Sequence, residues 1–301
     1  MKITNKFNLP AALVETVKKD EENHVSLDKH YGVTSLLNPI RQTILKKRYG
    51  EQVEVDVSTM VWSIFGQAVH GLIERGDKTG NAELEVKLEI RDGYFLRGRI
   101  DLYNEEEATI IDWKTTSAYK VSFGDFEDWR LQGLMYAFLL RKKGKYVEKL
   151  RFHALLKDWK KGKMIQERAK GNNYPLQPIW TWEYTITTSD MIEIERFIRQ
   201  RFEDIIASVQ LPDNELPPCT SEERWDRGGN YALKEPHKKS ATKLGSTVAE
   251  LELYAIKKGI SKYTIEYREP YPERCHEYCL VNQYCDYYKK LKPLESKGDE
   301  E

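Results

Sequence analysis

The chain alternates between two apolar periods. Between residues 58 and 75, Val61, Ile64, Phe65, Ala68, Val69, Leu72 and Ile73 recur at helical spacing, and the pattern predicts a helix with Ser58 as its N-cap. From Glu83 to Ile90 the period shortens to two, with Leu84, Val86, Leu88 and Ile90 on one face and Glu83, Glu85, Lys87 and Glu89 on the other, as in a half-buried strand. Strands at about Phe95–Tyr103 and Thr109–Lys114, divided by the polar turn NEEEA, complete an expected three-stranded meander. A helix follows over Phe126–Arg141, then strands over Leu150–Leu156 and Trp180–Thr187. A long amphipathic helix over Ser189–Val209 is expected to be capped by Ser189 or Thr188.

After that helix LPDNELPP breaks the chain, and every cysteine lies beyond it. The expected organisation is an N-terminal helical or irregular segment (1–57), a catalytic core (58–210), a C-terminal cysteine module (211–292) and a polar tail (293–301).

Composition narrows the function classes only a little. Lys plus Arg and Asp plus Glu number 48 each, so no global field draws the protein to polyanions, and nucleic-acid binding would need a local basic surface. No stretch has the apolar length to cross a bilayer, and MKITNKFNLP lacks a secretory apolar core, so a cytoplasmic location without a membrane partner is expected. In that reducing compartment, Cys219, Cys275, Cys279 and Cys285 read as a metal or cluster site rather than as two disulfides.

The chemistry concentrates in four short runs. In IIDWKTT, strand alternation puts Asp112 and Lys114 on one face and Ile111 and Trp113 on the other. A carboxylate suits Mg2+ or Mn2+, and an adjacent ammonium can orient water or offset phosphate charge; an edge-strand ion pair is the ordinary alternative. In GRID, Asp101 follows a close-packing Gly98, and a hairpin would bring it beside Asp112, where two carboxylates need a cation between them. In SIFGQAVH, Gly66 lies one turn before His70, which suggests close approach of another backbone to a nitrogen ligand; a structural histidine is the alternative. In WRLQGLMYAFLL, Trp129, Gln132 and Tyr136 share one helix face, opposite Leu131, Leu134, Met135 and Phe138.

Taken in order, Gly-x-x-x-His, Gly-x-x-Asp, Asp-x-Lys and Gln-x-x-x-Tyr resemble the RecB-like exonuclease branch of the PD-(D/E)xK nucleases over residues 60–140, and more loosely as far as Val209. The resemblance implies an α/β (α+β) fold, a mixed β-sheet flanked by helices in a restriction-endonuclease-like core. It implies that His70, Asp101, Asp112 and the carbonyl of Trp113 bind Mg2+ or Mn2+, that Lys114 assists the attacking water, and that Gln132 and Tyr136 hold the nucleic acid and the lysine. An acidic residue of the preceding strand often completes such a site. Glu83 and Glu85 are the candidates, but alternation places both with Glu89 on what reads as a surface face. Asp112 stands where Glu is also found, and Trp113 where Tyr or Phe is more usual.

The activity implied is exonucleolytic hydrolysis of single-stranded DNA or DNA ends, leaving a 5'-phosphate, in recombination, repair or replication. A catalytically inactive DNA-binding module and a site-specific or structure-specific endonuclease are the alternatives. Thr115, Thr116 and Ser117, just past the lysine, are placed for DNA-backbone contacts. Lysine and aromatic residues interleave in LRKKGKYVEK, LKDWKKGKMIQERAKG and LKEPHKKSATK, where Tyr146 or Trp159 could stack on bases.

The run Cys275-x3-Cys279-x5-Cys285 with Cys219 is similar to the three-plus-one cysteines that hold a 4Fe-4S cluster in some RecB-like nucleases, and the tail resembles those of phage-encoded enzymes. Two departures stand out. The distant cysteine follows the nuclease motifs instead of preceding them, and the first spacing is x3 rather than x2. Structural Zn2+, with His276 replacing a cysteine, and unliganded thiols remain alternatives. Recombination or replication proteins are conceivable partners, and the oligomeric state is left open.

Overall fold

The computed structural model describes residues 1–23, 27–77 and 81–291; the expected tail at 293–301 lies outside the described residues. Two compact units divide the chain, one from Met1–Ile40 and Glu51–Gln210, the other from Arg41–Gly50 and the chain from Leu211 onward.

The first unit is built on a six-stranded mixed sheet of β1 (His30–Gly32), β2 (Ala82–Arg91), β3 (Tyr94–Asn104), β4 (Thr109–Thr116), β5 (Lys149–Leu156) and β6 (Ile179–Thr185). Its order is β1-β3-β4-β5-β6, and β2 lies along the other edge of β3. The meander β2-β3-β4 is antiparallel, β4 and β5 run parallel, and β6 closes antiparallel. Helices α1 (Ala11–Asn23), α2 (Ile40–Tyr49) and α3 (Val57–Glu74) precede the meander. Between β4 and β5 the parallel crossover carries α4 (Ala118–Phe123) and α5 (Glu127–Lys142), while α6 (Lys161–Ala169) and α7 (Thr188–Val209) follow β5 and β6.

Strand β5 alternates without a break, burying Leu150, Phe152, Ala154 and Leu156. Two glycines bring α5 down onto this surface. A Cβ at Gly133 would stand 2.7 Å from Leu150 Cδ1, and one at Gly98 would stand 2.9 Å from Leu139 Cδ1 and 3.0 Å from the Tyr136 ring. The expectation of one polar and one apolar face on α5 holds only for its first turns. Every residue from Gly133 to Leu140 is buried, because the sheet covers one side and α7 packs on another.

Both predicted caps move by one or two residues. Asp56, not Ser58, caps α3, accepting from the Ser58 amide at 3.0 Å, and Thr187, not Thr188 or Ser189, caps α7 in a reciprocal box with Asp190. Each cap is the last residue with extended backbone angles, which aims its side chain at the free amides of the first turn. The helix predicted over 58–75 is present as α3, yet its apolar stripe is not a core face. Only Val57 is fully buried, while Val61, Phe65 and Leu72 are 38%, 43% and 64% exposed.

In the second unit, β7 (Asn230–Lys234) is flanked antiparallel by β8 (Lys243–Gly245) and β9 (Thr264–Arg268), and α8 (Val248–Lys258) packs Leu251 and Ala255 against Leu233. Arg41 of α2 binds this unit's linker, donating to the carbonyls of Asp213, Leu216 and Pro217. Among the described residues no helix is long and apolar enough to cross a membrane.

Candidate active site

The sheet forks where the candidate acids lie. On the edge of β3 away from β2, β1 pairs with Phe95–Arg97 and β4 with Leu102–Asn104, so Gly98–Asp101 lack a strand partner there. Leu102 faces Ile111 in the last rung between β3 and β4, which makes Asp101 and Asp112 the next opposed pair, at the point of divergence. The Asp101 side chain fills the gap left by the ladder: its Oδ2 accepts from the Trp113 amide at 2.7 Å. From α3, His70 Nδ1 reaches to 3.5 Å of Asp101 Oδ1.

Glu83 corrects the sequence reading. It stands opposite Asp101 in register, between the Ala82–Leu102 and Leu84–Ile100 pairs, and its backbone is left-handed at φ 52°. The pairing register runs unbroken through this position, so Glu83 keeps the strand face of Glu85, and the difference is that His70 of α3 lies over it. Glu85 and Glu89 are exposed as expected, whereas Glu83 is half-buried beneath α3 and also pairs with Arg99. One ligand atom each from His70, Glu83 and Asp101 lies within 4.8 Å of the others, making the one such metal-competent group among the described residues. Asp112 stands outside this compact triplet but interacts electrostatically with Asp101 and His70.

Behind the fork a polar relay crosses to α5. Lys114 Nζ lies 2.7 Å from Asp112 Oδ2 and donates to Gln132 Oε1 at 2.8 Å, while Gln132 Nε2 donates to the Tyr136 hydroxyl at 3.0 Å. Asp112 is only 2% exposed. Its Oδ2 is buried against the Lys114 ammonium and has no other polar partner. Burial pushes the Asp112 carboxyl up, Lys114 pulls it back down, and Asp101 pushes it up again, for a net rise. The hydrogen bond with Asp101 holds the His70 imidazole above its ordinary value despite burial. Burial likewise raises Glu83, against the pull of Arg99 and with the push of Asp101. Three hard oxygen donors and one imidazole, with charges that repel unless neutralised, fit Mg2+ or Mn2+.

One of the hydroxyls past the lysine has a local duty. Ser117 Oγ caps α4 by accepting from the Lys120 amide at 3.2 Å, and Thr115 Oγ1 is buried without a hydrogen-bond partner. The Trp159 indole is committed to the Pro175 carbonyl at 2.9 Å, while the Tyr146 ring is 67% exposed. At Gly66 the expected close approach is not found: a Cβ there would meet nothing within 4 Å.

A family model described as the PD-(D/E)XK nuclease superfamily matches residues 33–286. The chain belongs to that superfamily. Its mixed sheet flanked by helices is the restriction-endonuclease-like fold expected of such a nuclease. Among solved structures, SSO0001 is similar at 19% identity with a TM-score of 0.50, over 71% of this chain and 90% of that one. A phage related exonuclease from Haemophilus somnus 129PT is similar at 13% identity with a TM-score of 0.26, over 65% of this chain and 82% of that one. A search of curated proteins finds no match.

The second unit of this PD-(D/E)XK nuclease carries all four cysteines as free thiols, within electrostatic reach of one another. Burial pushes the Cys219 thiol up to about 12 and Cys275 up to about 11, and also raises Cys279. Arg41 Nη1 lies 3.9 Å from Cys285 Sγ. His276, the alternative zinc ligand, stacks flat on Tyr271 at 4.8 Å and has the Tyr288 hydroxyl 3.4 Å from Nδ1.

Proposed function

We propose that this nuclease hydrolyses DNA phosphodiester bonds with Mg2+ or Mn2+, as an exonuclease acting on single strands or DNA ends. The observation that carries the reading is the convergence of His70, Glu83 and Asp101, from a helix and two strands, beside the buried Asp112 and its partner Lys114.

When bound, the divalent ion polarises a nonbridging phosphate oxygen and acidifies water. His70, Glu83, Asp101 and Asp112 would hold it, with the carbonyl of Trp113. Lys114 donates a hydrogen bond to the attacking water and offsets charge developing on the phosphate. Gln132 keeps the ammonium aimed, and Tyr136 keeps Gln132 from rotating. In-line attack by water, with the 3'-oxygen as the leaving group, would leave a 5'-phosphate. The order of the motifs supports a place in recombination, repair or replication, and the character of the C-terminal run supports a phage-encoded source.

For the cysteines, a 4Fe-4S cluster is the favoured occupant. In a tetrahedral zinc site, thiolates about 2.3 Å from the metal crowd to roughly 4 Å of one another. No three of these sulfurs lie within 4.8 Å of each other, and His276 is engaged by two tyrosines. A cluster with one thiolate per iron accepts wider spacing.

End-labelled single-stranded and duplex DNA, incubated with Mg2+ or Mn2+, tests the activity. Release of mononucleotides or short oligonucleotides from ends is expected, with no cleavage of circular single strands and none by Asp101→Asn. Cutting of circles would make the protein an endonuclease, and equal cleavage by Asp101→Asn would remove the proposed site from the reaction.

A further inference from the structure

Helix α3 carries a feature that metal binding does not use. Trp62, Gly66 and His70 fall at i, i+4 and i+8, a single row along the helix surface. Trp62 is 62% exposed and Phe65, set edge-on to it at 6.3 Å, is 43% exposed. Lys157 Nζ sits 4.0 Å from the centroid of the Trp62 ring. Lys157 is itself anchored near the proposed site, since its amide donates at 2.9 Å to the carbonyl of Thr116, two residues past Lys114. Between Trp62 and His70 the surface is bare, because Gly66 has no side chain and nothing stands within 4 Å of where one would begin. Glycine inside a helix is destabilising relative to alanine. Packing gives no reason for accepting that cost here.

We infer that the Trp62–Gly66–His70 row, with Phe65 and Lys157, is a track for single-stranded DNA, in which Trp62 stacks on an unpaired base and Gly66 lets the sugar–phosphate backbone pass close to α3. The inference rests on the DNA-hydrolase reading and names its substrate class. Eight residues of helix span about 12 Å. Stacked DNA rises roughly 3.4 Å per nucleotide and an unstacked single strand extends further, so the stacked base lies at most about three to four nucleotides from the phosphate being cut. A ring with one face under an ammonium and its surroundings open suits a π-face flanked by phosphates. A purely apolar protein partner would leave the lysine unused. Duplex DNA keeps its bases stacked on each other and offers none to Trp62.

The test is binding, measured in EDTA so that its outcome is independent of cleavage. Fluorescence anisotropy of labelled dT20 should show Trp62→Ala weakening affinity about tenfold, with Trp62→Phe close to wild type. Gly66→Leu should also weaken binding, whereas Gly71→Ala, on the opposite side of α3, should not. A blunt duplex should be indifferent to Trp62→Ala. The inference is overturned if Trp62→Ala binds dT20 like wild type, if Trp62→Phe is as weak as Trp62→Ala, or if the duplex loses affinity equally. It is also overturned if light scattering shows that Trp62→Ala dissociates an oligomer, since a second copy would then be what covers this face.

Discussion

Glu83 and Asp101 present carboxylate oxygens within 4.8 Å of each other from adjacent strands, and the imidazole of His70 completes the group. The cover of α3 over this end of β2 is what distinguishes the half-buried Glu83 from the exposed Glu85. Without a cation, burial and the Asp101 charge make the ionised Glu83 unfavourable to the fold, and Arg99 only partly offsets them. A carboxyl raised in the folded state contributes stability below its unfolded pKa and loses it as pH rises through the folded value.

Glu83→Gln is therefore expected to leave the metal-free protein at least as stable as wild type at pH 7. In Mn2+ the order should reverse, because wild type binds more tightly and gains more from the ligand. Mn2+ affinity should fall at least about tenfold, a loss already seen for groups that only orient a ligand. Calorimetric titration and melting curves with and without Mn2+ decide it. Equal affinities would remove Glu83 from the site.

Lys114 is held from two sides, by Asp112 and by Gln132. Lys114→Ala should lower single-turnover cleavage about 10^2- to 10^4-fold while DNA binding persists. Gln132→Ala keeps the ammonium but frees it, so an intermediate loss is expected. Tyr136→Phe keeps the ring against Gly98 and removes one hydroxyl, so it should cost least. A Gln132→Ala enzyme as fast as wild type would show that Asp112 alone positions the lysine.

The meander, the crossover helix and the long helix were legible because their apolar periods survive in the fold: β5 buries every second residue, and α7 buries Ile194, Ile198, Phe202 and Ile205. Asp112 and Lys114 on one strand face follow from the same period. Glu83 was not legible, because alternation puts it on one face with Glu85 and Glu89 but does not show that α3 covers that face at Glu83 and leaves it open at Glu85. The exposure of the α3 stripe was hidden for another reason. Periodicity shows that a helix has an apolar face, but not that anything covers it. Nor does the sequence reveal that Arg41–Gly50 belongs with the chain beyond Leu211, since that depends on contacts between residues more than 160 positions apart.

Asp190 closes the N-terminus of α7 and gives the fold a defined acid limit. Its carboxylate accepts from the Thr187 amide at 2.8 Å, the Thr187 hydroxyl at 2.6 Å, Arg130 at 2.7 Å and Tyr184 at 2.8 Å. Burial pushes its pKa up, but these hydrogen bonds and the Arg130 charge more than offset that, and the net value is lowered. A depressed carboxyl contributes stability above its unfolded pKa of about 3.9 and loses it as pH falls through the folded value. Asp190→Asn should destabilise the protein by about 2 kcal/mol at pH 7, or roughly 4–8 °C in Tm. The difference from wild type should shrink in melting curves taken below about pH 4. A gap unchanged by acid would assign Asp190 a packing role only.

The four thiols offer a test independent of DNA. Burial holds Cys219, Cys275 and Cys279 above the ordinary thiol range, so without a ligand they are neutral at pH 7 and poor nucleophiles. A cluster must displace those protons, and it brings the positive charge that makes four wholly or partly buried thiolates tolerable. Protein purified without oxygen is expected to carry about four irons per chain and to absorb broadly near ~400 nm. Cys219→Ser and Cys285→Ser should each lose iron, and melting should fall in the second unit while Mn2+ binding by the first is kept. Stoichiometric zinc without iron would assign the structural metal instead. Protein with neither metal, whose thiols react with a disulfide reagent only after denaturation, would leave the cysteines as buried packing residues.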